Sequence, residues 1–139
     1  IVELEDERIK VPQPHALVHL GNSKDLSEIG LSKYSKHKHL MQRQDYPIYA
    51  VVMDMIKGKR MKYMKRDQRI KYQDQATNLI QALLEHGIIK HDLKRDELIC
   101  DEENLIMVDT HLIQWRKLPV ETPTAYRYIL QSVGQSSFP

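Results

Sequence analysis

A single cysteine, Cys100, stands in the 139 residues of this chain, so no internal disulfide is available to hold it. That usage fits a reducing compartment, and Cys100 itself, set in an apolar run, reads as a small buried hydrophobe. Long hydrophobic runs are missing as well: nothing approaches the ~18–20 apolar residues needed to span a bilayer, which excludes a transmembrane helix. The first seven residues hold four acids and no base and carry no signal-peptide pattern. Without an initiator Met, the chain reads as an excised or processed fragment. Internal repeats and low-complexity tracts are absent. A Gly-x-Ser-x-Gly elbow is also absent, which argues against a hydrolase of that type. The histidines, His37 and His39 among them, have no zinc-ligand spacing.

What is present suits one soluble, cytoplasmic domain: 29% charged residues and 41% hydrophobic ones in a length sufficient for one core. The net charge of +2 hides a strong local bias. Residues 57–71 carry eight Lys/Arg against one Asp, a density that attracts an acidic protein partner or an anionic membrane surface. Nucleic acid is set aside, because no recognised nucleic-acid-binding pattern accompanies the charge.

Hydropathy patterning predicts an α+β chain. Residues 1–9 have loosely helical spacing, ended by Pro12 and Pro14. Residues 15–20 and 47–56 read as strands, the second β-branched and bounded by Pro47 and Gly58. Between them, 23–46 is polar and reads as a long loop. Ala76, Leu79, Ile80, Leu83 and Leu84 recur at three- and four-residue spacing, predicting a helix over 67–86 with Gly87 as its C-terminal cap. A short strand at 88–89, a hairpin of 98–100 with 105–109, and a short helix near 125–132 follow. Met53, Met55, Met61 and Met64 read as core filling.

Helix, short strand, Asp-bearing loop, hairpin and second Asp follow one another over residues 79–109. The loop is Lys90-His91-Asp92-Leu93-Lys94-Arg95-Asp96-Glu97, and the hairpin ends in Asp109-Thr110-His111. This stretch resembles the large lobe of protein kinases, whose catalytic loop is His-Arg-Asp-Leu-Lys-x-x-Asn and whose metal motif is Asp-Phe-Gly. Upstream, Ala50-Val51-Val52-Met53-Asp54-Met55 resembles the strand and hinge that frame adenine. The resemblance implies a minimal or partial protein-kinase-like fold, mainly large-lobe core with remnant small-lobe strands. It divides the chain into 1–56, small-lobe-like strands and hinge, and 57–139, the helical core with the catalytic-loop hairpin.

Functionally, the resemblance implies an atypical protein kinase that moves the γ-phosphoryl of ATP to a protein hydroxyl. Asp92 then orients the hydroxyl as base and Lys94 neutralises phosphoryl charge. Asp109 and Glu97 hold Mg²⁺, and Met53, Asp54 and Met55 flank the nucleotide base. The brevity resembles the minimal kinases that bacterial pathogens deliver into a host cytosol.

The alternative is a different class, a catalytically inactive pseudokinase that docks a partner through its basic face, and several departures from the family pattern bear on the choice. The loop His and Arg are Lys90 and His91, and the metal-binding Asn is Glu97. The Phe-Gly of the metal motif is Thr110-His111, and no Gly-rich phosphate loop is present. No nucleotide-anchoring lysine is evident, with Lys33 and Lys36 as candidate replacements.

Overall fold

The computed structural model describes residues 5–24, 45–110 and 112–135 and shows a mixed α+β chain. Lys33, Lys36, His37, His39, His111 and most of the expected 23–46 loop lie outside the described residues. The chain divides into two compact units, one of residues 13–54 and one of residues 1–12 with 55–139.

In the first unit, β1 (Pro14–Asn22) pairs antiparallel with β2 (Pro47–Met53), so that Leu17 faces Val51 and His19 faces Tyr49. The second strand stops three residues short of the expected end, because the Asp54 amide turns to donate to the Gln13 carbonyl at 3.0 Å. The Asp54 carboxylate also pairs with His15 at 2.5 Å.

The second unit holds the core. Short strand β3 (Lys59–Arg60) is followed by a 3₁₀ turn at Met61–Tyr63 and by α1 (Arg66–Arg69). The main helix, α2 (Gln73–Glu85), then leads to β4 (Ile88–Ile89). The hairpin β5 (Leu98–Asp101) and β6 (Asn104–Met107) comes next, then β7 (Gln114–Trp115) and α3 (Thr124–Ser132). Two sheets form, β3-β5-β6 and β4-β7, with every pairing antiparallel.

Period-two alternation puts Leu98 and Cys100 of β5 opposite Met107 and Leu105 of β6, all four buried. They join the α2 stripe of Ala76, Leu79, Ile80 and Leu83 and the inner face of α3, Tyr126, Ile129 and Leu130, in one cluster. Met61 and Met64 belong to this core as expected, whereas Met53 and Met55 are exposed, at 43% and 81%. Burial pushes the Cys100 thiol up to about 11, in keeping with a packing role.

Two expected helices differ. The 67–86 helix is split, with α1 and a 3₁₀ turn (Ile70–Tyr72) preceding α2. Its apolar stripe begins only at Ala76, and before it Tyr72 turns inward so that its hydroxyl donates to the Glu102 carbonyl at 2.8 Å. Among residues 5–9 there is a turn instead of a helix, because the Asp6 carboxylate captures the Arg8 amide and guanidinium, at 3.0 and 2.8 Å. That turn is tied to the end of α2: Arg8 bonds Glu85 at 2.6 Å and Asp6 bonds His86 at 2.9 Å.

Gly87 ends α2 with φ +67°, a left-handed conformation that L side chains rarely adopt. A Cβ there would lie 2.0 Å from the Arg116 carbonyl oxygen, and the Gly87 carbonyl accepts from the Arg116 amide at 2.7 Å. No helix among the described residues is long and apolar enough to cross a membrane.

Candidate functional site

The loop that follows β4 is fixed from behind by α3. The buried Tyr126 hydroxyl donates to the Ile88 carbonyl at 2.8 Å and accepts from the Lys90 amide at 2.9 Å. Burial pushes this phenol up to about 12, so it remains a neutral donor. The chain then turns, with the Leu93 amide on the Lys90 carbonyl at 3.2 Å and the Leu93 side chain in the core. A 3₁₀ turn at Arg95–Glu97 follows, closed in both directions. The Glu97 amide donates to the Lys94 carbonyl at 3.0 Å, and the Glu97 carboxylate accepts from the Lys94 amide at 3.1 Å. Finally, the Val108 amide donates to the Glu97 carbonyl at 2.9 Å, which draws the end of β6, and hence Asp109, to the loop.

At the centre is Lys90. Its side chain is 1% exposed, and its ammonium donates to Asp92 at 3.0 Å and lies 3.6 Å from the Glu97 carboxylate. A buried ammonium is stable only with such partners. The carboxylates feel one another as well. Burial raises the Glu97 proton affinity first of all, and the neighbouring charges of Asp109 and Asp92 push the same way, against the Lys94 amide and the Lys90 ammonium.

The residues singled out in the sequence therefore fall into groups. Glu97 lies within the electrostatic reach of both Asp92 and Asp109, and Lys94 sits on the same loop with its side chain in solvent. Met53 and Asp54 belong to the hairpin unit and Met55 to the other, with all three exposed. The Asp54 amide, one of the groups expected to meet adenine, is engaged by Gln13. Lys90 and Tyr126, whose contacts hold this loop, are the positions that sequence reading did not single out. In the sequence Lys90 is only a departure from a motif, and nothing in its neighbours marks it as buried.

Glu97, the second residue expected to hold Mg²⁺, has one carboxylate oxygen already engaged. Its Oε2 accepts from the Lys94 amide and lies 3.6 Å from the Lys90 ammonium, so a hard cation held through that oxygen would compete with both.

A second feature is the basic segment. Lys57, Lys59, Arg60, Lys62, Lys65, Arg66 and Lys71 are exposed, and none ion-pairs with a described residue. Tyr63 and Ile70 lie exposed among them. The eighth cation, Arg69, is fixed, bonding the Ser132 carbonyl at 2.8 Å and the Met64 carbonyl at 2.6 Å.

Compared with known proteins, the chain matches no family model, no curated protein and no solved structure.

Proposed function

We propose that this chain is a kinase-derived protein-interaction module whose phosphotransfer centre is neutralised by its own lysine and whose basic 57–71 segment docks an acidic partner. One observation carries the reading: the Lys90 ammonium is buried against both Asp92 and Glu97. Phosphoryl transfer needs one carboxylate oriented toward the acceptor hydroxyl and others on a metal ion. A cation locked among them competes for both duties. The basic segment supplies the docking charge, with a phosphoinositide- or phosphatidylserine-bearing membrane as the competing target. Such a module belongs in a reducing cytosol, its own or that of a host.

A second reading, an atypical kinase transferring the ATP γ-phosphoryl to a protein hydroxyl, draws on the Asp92 side chain, which is still 35% exposed. The deciding experiment is thermal denaturation with ATP plus Mg²⁺ against ATP plus EDTA, alongside phosphotransfer to an acceptor protein. Nucleotide at ~100 times its Kd stabilises by about 2.7 kcal/mol. The interaction reading expects no metal-dependent shift and no transfer. A shift and turnover that both vanish in Asp109→Ala and Asp92→Asn would replace it with the kinase reading. Reversal of Lys59, Arg60, Lys65 and Arg66 to Glu abolishes partner binding if the basic segment is the docking face.

A further inference from the structure

We infer that a cavity between the Lys90–Glu97 loop and α3 is the seat for an acidic segment of the partner protein. The cavity encloses about 490 Å³. Buried Leu93 and Ile129 form an apolar floor, and exposed Lys94, Arg95 and Tyr128 form the rim. Arg69 closes one side, its guanidinium held by two backbone carbonyls, so its charge cannot swing away. Among the described residues, no acid lines this cavity. Among the described residues, neither the Lys94 ammonium nor the Arg95 guanidinium has an ion-pair partner.

Three cations around an apolar floor select a carboxylate beside an aliphatic side chain. A larger cavity of about 650 Å³, lined by His91, Arg116 and Lys117, is less selective because it contains its own carboxylate, Glu121. Concavity favours a protruding side chain over a flat bilayer. The inference rests on the interaction reading for the class of partner, but of the cavity's cations only Arg69 belongs to the 57–71 segment.

The test is fluorescence anisotropy with a short fluorescein-labelled Glu-rich peptide containing one Leu, titrated with the whole chain. Circular dichroism on every variant checks folding. Arg95→Glu weakens binding about tenfold or more, and Tyr128→Ala weakens it less. Arg95→Lys retains most of the affinity, and a Lys-rich peptide does not bind. Affinity for Arg95→Glu within about twofold of wild type overturns the inference. So does binding to phosphatidylserine vesicles without binding to the peptide. If reversing Lys59, Arg60, Lys65 and Arg66 abolishes peptide binding while Arg95→Glu leaves it intact, the acidic-partner reading stands and the cavity is not its seat. The opposite pattern keeps the cavity and removes the basic segment.

Discussion

Two antiparallel hairpins in this chain solve opposite problems. The β1–β2 hairpin is the longer, yet Leu17, Tyr49 and Val51 are each more than half exposed. The β5–β6 hairpin has only four residues per strand, but Leu98 is fully buried and Met107 is 2% exposed. Paired residues are more numerous in the first, whereas the apolar side chains withdrawn from water are concentrated in the second. Because a hydrogen bond contributes about 1 kcal/mol net and a buried Leu or Met side chain about 1.5–3 kcal/mol, the short hairpin anchors its unit. A two-stranded ribbon without a buried face is marginal in water.

That contrast can be broken most forcefully in the core. Leu98→Ala is expected to cost about 2–5 kcal/mol in urea unfolding followed by circular dichroism. Leu17→Ala in the exposed hairpin is expected to stay below about 1 kcal/mol. Equal costs at the two positions would erase the distinction.

Gly87→Ala comes next, at about 1–3 kcal/mol or more, because a Cβ meets the Arg116 carbonyl and the left-handed φ is lost to most side chains. A destabilised but folded variant in which amide exchange at Ile88 and Ile89 also accelerates is the expected outcome. Tyr126→Phe should cost about 1–3 kcal/mol, since it leaves the Ile88 carbonyl and Lys90 amide without their buried partner. Near-neutral behaviour would mean that the loop does not depend on α3.

The smallest effect is set by acid. Arg8 and His86 hold the Asp6 carboxyl far below the usual carboxylate range, and Arg8 lowers Glu85 as well. The folded chain thus takes up these protons less readily than the unfolded one. Their contribution is present above about pH 4 and drains away as the pH falls below it. Protection of residues 5–10 against hydrogen exchange, corrected for intrinsic rates, should fall between neutral pH and about pH 3, before β5–β6 loosens. Asp6→Asn should flatten that dependence. Glu97 works with the opposite sign: its raised proton affinity means that mild acid relieves the strain of its burial.

Much of the second unit was legible in one dimension because its signals are local and mutually consistent. The stripe from Ala76 to Leu83, the glycine after it and the polar turn between two apolar runs each specify one element. Less legible were features set by a single side chain reaching across the fold. The 67–86 helix breaks where Tyr72 seeks the Glu102 carbonyl, and the first residues form a turn because Asp6 has Arg8 within reach. At the candidate site, the positions of Asp92 and Asp109 could be proposed from spacing. The charge state around them could not, since a lysine in a motif carries no mark of whether it will lie in solvent or among carboxylates.

Tyr126 also makes the loop chemically observable. Its ring is fully buried and both sides of its hydroxyl are occupied by backbone groups of Ile88 and Lys90, so electrophiles that iodinate or nitrate surface phenols cannot reach it while the loop is seated. Of the seven tyrosines, Tyr63 and Tyr128 offer more than 60% of their surface to the same reagents. Labelling at position 126 relative to those two therefore measures how often the Lys90 loop lifts from α3, with the exposed rings as internal clocks.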